Sequence, residues 1–171
     1  MPFLLDGDEW ARIEAGVAER VNGMPAWRMV PRTGCSTSTA MPSATAWGIA
    51  KAVAAQGAEL AFSYQGEALK KRVDPLAAEV GSDFVVECDV GDEASLDRLF
   101  EVLQERWGTI DFVVHAIGFS DKNELRGRYV DTTKANFLMT MDISVFSFTS
   151  VCRRAAALMP DGGSLLTLTY Y

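Results

Sequence analysis

The sequence predicts an incomplete three-layer α/β fold: an open, doubly wound parallel sheet with helices on both faces. Two observations carry this. From Ala44 onward, short apolar runs alternate strictly with longer amphipathic stretches, the pattern of βαβ units. The runs themselves, such as 110–117 (IDFVVHAI), are apolar at consecutive rather than alternate positions, as in strands covered on both faces. A third observation sets the limit. Residues 1–43 differ in character from 44–171, so the chain divides into an atypical N-terminal segment and a partial sheet domain.

In that first segment, Asp8–Val21 has Trp10, Ile13 and Val17 at helical spacing. Gly23, Pro25, Pro31, Gly34, the Ser/Thr cluster 36–39 and Pro42 then read as loop, with no buried strand. Beyond Ala44, Trp47, Ile49, Ala50, Val53 and Ala54 form a helical stripe that stops at Gly57, a natural C-terminal stop. Glu59–Tyr64 (ELAFSY) is a strand. Gly66–Val80 is a helix with Leu69, Val73, Leu76 and Val80 inward and Lys70, Lys71 and Arg72 solvated. Asp83–Val90 is a strand, and Asp92 caps a helix through Trp107 whose inner face is Leu96, Leu99, Phe100 and Leu103. Ile110–Ile117 is a buried strand, followed by a polar loop from Gly118 to about Tyr129. A long helical stretch, Thr132–Met159, is bent near Asp142–Ser144. Asp161–Gly163 turns the chain into a last strand, Ser164–Tyr170. If residues 28–43 supply no strand, the centre of the sheet is a gap lined by unpaired backbone groups, each costing about 1–3 kcal/mol, and the domain is marginally stable.

The net charge of −7 argues against a nucleic-acid partner, which needs a basic footprint. The three cysteines, Cys35, Cys88 and Cys152, are too dispersed to suggest a metal site and read as free thiols of a reducing compartment. No apolar run approaches the roughly 18 residues of a membrane span. The acidic N-terminus (Asp6, Asp8, Glu9) is unlike a signal peptide, so the expected location is the cytoplasm. In parallel sheets ligands lie beyond the carboxyl ends of the strands, which directs attention to Gln65, Asp89–Val90 and Ala116–Ile117–Gly118.

Four segments, AWGIAKAVAAQGAELAFSYQGEALKKRV (46–73), CDV (88–90), DFVVHAIGF (111–119) and GSLLTLTY (163–170), occur in this order and spacing. Together they resemble the NADH-dependent enoyl-acyl-carrier-protein reductases, a branch of the short-chain dehydrogenase/reductase family with a Rossmann-type fold. The resemblance covers roughly residues 44–170 and implies hydride transfer from NADH to a trans-2-enoyl thioester carried on acyl carrier protein, in fatty-acid biosynthesis. It implies that Gln65 meets the adenosine ribose, that Asp89 meets the adenine amino group and that Val90 packs on the ring. Ala116, Ile117 and Gly118 would line the cofactor, with Gly118 letting the backbone approach where a side chain would block it. Glu67 would repel a 2′-phosphate and so favour NADH. His115, the only histidine, would be structural rather than catalytic. Family members are usually homotetramers.

Tyr170 matches the first of two tyrosines flanking the family's active site. The second tyrosine and the lysine of the Tyr-x6-Lys pair, which stabilise the enolate oxygen and hold the nicotinamide ribose, belong after it and are not among these residues. The family's strand, glycine turn and pyrophosphate loop before the first helix are not recognisable either, and its Ser-Ile pair is Ala44–Thr45 here. A fragmentary or frameshifted reading frame is the simplest expectation from both departures. The competing reading is a truncated, inactive Rossmann fragment that binds nucleotide weakly or pairs with a homologous subunit through its long helices.

Overall fold

The computed structural model describes the backbone of residues 28–35 and 44–169 and the side chains of 45–169. The described chain forms a five-stranded parallel sheet in the order β3-β2-β1-β4-β5. Its strands are β1 (Arg28–Cys35), β2 (Glu59–Tyr64), β3 (Phe84–Glu87), β4 (Phe112–Gly118) and β5 (Ser164–Thr167). The helices are α1 (Ala44–Ala55), α2 (Glu67–Glu79), α3 (Glu93–Trp107), α4 (Lys134–Met141) and α5 (Ser147–Ala157). A π-helical turn, Asp142–Phe146, joins α4 to α5. This is the bend expected near Asp142–Ser144.

The central strand corrects the reading of residues 28–35 as loop. β1 pairs with β4 without a break from Met29↔Phe112 to Cys35↔Gly118. On its other side it meets β2 at Arg28↔Glu59, Met29↔Leu60 and Arg32↔Ser63, and the pairing skips 30–31. The skipped stretch contains Pro31, which has no N–H to give a ladder. Strand propensity is weak evidence when both neighbours, β2 and β4, present unpaired edges that only this segment can fill. The expected gap in the sheet is therefore closed, and no row of unpaired backbone groups remains at its centre to make the domain marginally stable.

Alternation along the strands sends successive side chains to opposite faces. Leu60, Phe62, Tyr64 and Val114 pack with Ala50 of α1 and with Val73 and Ala77 of α2. Ala61, Phe84 and Val113 pack on the other face with Leu96, Leu99, Phe100 and Leu103 of α3 and with Val151 and Ala155 of α5. These are the three expected layers. Asp92 caps α3 as its sequence suggests, its side chain accepting from the Ala94 N–H.

The helical run Lys134–Ala157 is long and apolar enough to cross a membrane by length and composition, which corrects the expectation that no stretch is. Its second half nevertheless buries Ser147, Ser150, Val151 and Ala155 inside the fold. Ser150, Arg153 and Arg154 are tied to Glu93 of α3, and Arg154 also to Asp97. It serves as a flanking helix of the sheet.

Candidate functional site

The carboxyl ends of β2, β3 and β4 open into a cleft of about 110 Å³ lined by Gln65, Asp89, Val90, Ile117, Phe119 and Ile143, among others. Four sequence-selected residues from three strands thus converge. The geometry links two of them directly: Gln65 Nε2 donates to Asp89 Oδ2 at 2.8 Å. Asp89 Oδ1 accepts from the Gly91 N–H at 2.8 Å, and the Asp89 N–H donates to Ser95 Oγ at 3.0 Å. Asp89 therefore shapes the entry to α3 as well as the cleft. A carboxylate has about four lone-pair sites, so two bonds leave it able to accept from a ligand amine.

Gly118 is the last residue of β4, and a Cβ built there would meet nothing within 4 Å. Packing among the described residues gives no reason for a glycine. Ala116 is half-buried and does not line the cleft. Thr45 is exposed in the first turn of α1 and does not line it, and the Ala44 side chain lies outside the described residues. Residues 36–43, where a pyrophosphate loop would be sought, lie outside the described residues, as does Tyr170.

Phe119 and Ile143 are cleft residues that the sequence reading missed. Ile143 comes from the π-helical turn, and the turn is held in place by hydroxyls. Ser144 Oγ accepts from the Phe119 N–H at 3.0 Å and donates to the Phe119 carbonyl at 3.2 Å. Ser147 Oγ donates to the Ile143 carbonyl at 2.6 Å. The expected bend was the available signal, since π turns gather at functional sites. The loop after β4 is fixed by Asn136, whose Oδ1 accepts from the Asp121 N–H at 3.0 Å.

His115 is fully buried between β5 and α5 and does not line the cleft. Its Nε2 lies 2.8 Å from Ser147 Oγ and its Nδ1 lies 3.1 Å from Thr167 Oγ1. The Ser147 hydroxyl has one proton, given to Ile143. It must then accept from His115, which places the imidazole proton on Nε2 and makes Nδ1 the acceptor for Thr167.

The spacing Tyr-x6-Lys does occur once, at Tyr64 and Lys71. Tyr64 is 7 % exposed in the core, where burial pushes its phenol up, whereas Lys71 is exposed on α2. Tyr64 borders the cleft with little exposed surface and Lys71 does not line it, so the two are not brought together there. Cys88 is buried, with its Sγ 3.6 Å from the Ser95 carbonyl oxygen, and Cys152 is partly buried.

A parallel sheet in this strand order, with a cleft at the carboxyl ends lined by an amide–carboxylate pair, defines the nucleotide-binding half of a Rossmann-type protein. The sequence model described as enoyl-(acyl carrier protein) reductase matches residues 39–171, and the chain belongs to that family. Enoyl-acyl-carrier-protein reductase (NADH) 2 of Rhizobium meliloti is 68% identical over 125 residues, which are 73% of this chain and 47% of that protein. An enoyl-acyl-carrier-protein reductase of Anaplasma phagocytophilum, solved with NAD, is 54% identical with a TM-score of 0.76, covering 85% of this chain and 54% of its own. The Bacillus cereus reductase, solved with NADP+ and an indole naphthyridinone, is 38% identical with a TM-score of 0.75, covering 84% of this chain and 55% of its own. The chain spans about half the length of the curated relatives it matches.

Proposed function

We propose that these residues form the adenosine-binding part of an NADH-dependent enoyl-acyl-carrier-protein reductase. One observation carries the reading: Gln65, Asp89, Val90 and Ile117, selected from sequence, line one cleft at three strand ends. Gln65 holds the ribose, Asp89 accepts from the adenine amine, Val90 and Ile117 sandwich the ring's apolar faces, and Gly118 leaves room for the backbone to approach. NADH, when bound, supplies the hydride for a trans-2-enoyl thioester on acyl carrier protein. Tyr170 would contribute to the electrophilic side of that reaction as one of two tyrosines. The protein is cytoplasmic on this reading.

Oligomerisation with a second copy or a homologous subunit belongs to the same proposal. Leu138, Met141, Val145 and Phe146 are 41–55% exposed and share one open groove on α4, the π turn and α5. These apolar side chains are grouped rather than scattered singly, which supports the reading of this face as a contact surface.

The test is consumption of NADH in the presence of a short trans-2-enoyl thioester. A polypeptide of residues 1–171 alone is expected to bind NADH weakly and show no turnover, because the enolate oxygen lacks a donor whose loss typically costs about a hundredfold or more. The same residues in a chain carrying the family's Tyr-x6-Lys pair and pyrophosphate loop are expected to turn over. Turnover by residues 1–171 that survives Tyr170→Phe overturns the assigned roles.

A further inference from the structure

Gln65 and Asp89 stand 24 residues apart on the ends of different strands, yet their side chains are bonded. Asp89 is fixed from two further directions, by the Gly91 N–H on Oδ1 and by Ser95 Oγ on its own N–H. An ionised carboxylate can only accept hydrogen bonds. The edge of the Gln65 amide turned toward Asp89 must therefore be its NH2, and Oε1 is presented on the opposite side. An unrestrained glutamine offers either edge to a ligand. This one cannot turn over without setting its oxygen against a negative charge.

We propose that Asp89 is a positioning residue for cofactor choice: by locking the Gln65 amide with Oε1 outward, it makes the ribose side of the cleft an acceptor that takes a free ribose 2′-hydroxyl and rejects a 2′-phosphate. The inference rests on the NADH reading above. A 2′-hydroxyl has a proton to donate to Oε1. A fully ionised phosphate has none, and it meets the carbonyl oxygen as a second bare acceptor. Glu67, exposed in the first turn of α2, adds a negative charge near the same strand end. Selection thus depends on a hydrogen bond between two protein side chains as well as on those that touch the nucleotide.

The probes are adenosine 5′-monophosphate and adenosine 2′,5′-bisphosphate, which need neither nicotinamide nor a second nucleotide half. They are titrated into the whole chain at about pH 8, where the 2′-phosphate is ionised. Binding is followed on the methyl resonances of Val90 and Ile117. In Asp89→Asn, the Gly91 N–H keeps an oxygen on its own side, so the new NH2 faces Gln65. Gln65 then turns its Oε1 inward and its own NH2 outward. The preference for the monophosphate is expected to fall by about tenfold or more, the worth of one charge-assisted hydrogen bond. Loss of the Asp89 charge alone also lowers the preference, and the Gln65→Met background isolates that part. There Asp89→Asn is expected to change the preference by only about two- to threefold, as for one partly solvated charge.

An equal change in both backgrounds shows that Asp89 acts through charge alone and overturns the proposal, while leaving the adenosine site standing. If neither nucleotide moves Val90 or Ile117 at about 10 mM, the site reading itself fails, and the proposal with it. An independent measurement uses the unmodified protein: hydrogen exchange of the Gln65 side-chain amide. It is expected to be slower than at Gln56 and Gln104, and equal rates at all three overturn the lock.

Discussion

Gly163→Ala is expected to destabilise the domain although it adds a single methyl group. A Cβ at this position would lie 2.5 Å from Met159 Sδ, 2.7 Å from the Asp111 carbonyl oxygen and 3.0 Å from Met159 Cγ. These distances are well inside the roughly 3.5–4.0 Å of ordinary carbon contact. Met159 could rotate at some cost, being 9% exposed. The carbonyl cannot yield so easily, because it accepts the Ser164 N–H at 2.9 Å and sets the start of β5. Overpacking typically costs about 1–3 kcal/mol, and a backbone obstacle argues for the upper end. For a domain of this size, about 3 kcal/mol lowers Tm by roughly 6–12 °C. Circular dichroism melts of parent and variant provide the assay. Adding Met159→Ala removes two of the three contacts, so the double variant should be less destabilised than the sum of the singles. A Gly163→Ala melt within about 1 °C of the parent refutes the packing described at the β5 turn.

Leu99→Ala, in the core beneath α3, should cost about 2–5 kcal/mol, read from the midpoint of urea unfolding. Ser147→Ala removes the Ser147 hydroxyl from the buried Nε2–H of His115 and should cost about 1–3 kcal/mol. In the parent, nitrogen NMR of this single histidine should show the proton on Nε2, and a predominantly Nδ1-protonated ring contradicts the relay. Hydrogen bonds from Arg154 and then Ser150 hold the Glu93 carboxyl below its usual value near 4.5. Its folded form is thus the weaker base. The stabilisation is present above that value and is lost as pH falls through the lowered one. Glu93→Gln should accordingly flatten the acid limb of stability against pH below about 4.5, with little change in slope near neutrality.

How much was legible depended on whether local chemistry agreed with the fold. Glu59–Tyr64 and the Asp92-capped α3 were readable to the residue, because strand composition, cap and stripe all point one way. β1 was not. Its proline, its two arginines and its glycine speak for loop, and only the unfilled edges of β2 and β4 decide otherwise. In the cleft, Gln65, Asp89, Val90 and Ile117 lie at or just beyond strand ends, where position alone suggests a ligand. Ile143 arrives from a distant helix through a π turn that no local pattern fixes, and Phe119 depends on Ser144 to place it. The bond between Gln65 and Asp89 was also invisible in sequence, since nothing in the spacing of two strand ends says that they face one another.

The central claim is that the cleft receives the adenosine end of NADH, and saturation-transfer NMR tests it most directly. With the whole chain irradiated in the methyl region and NADH in excess, the account predicts the strongest transfer to the adenine and adenosine-ribose protons, weakened by Ile117→Ala. It predicts little transfer to the nicotinamide ring. Stronger transfer to nicotinamide than to adenine, or transfer unchanged by Ile117→Ala, would contradict it.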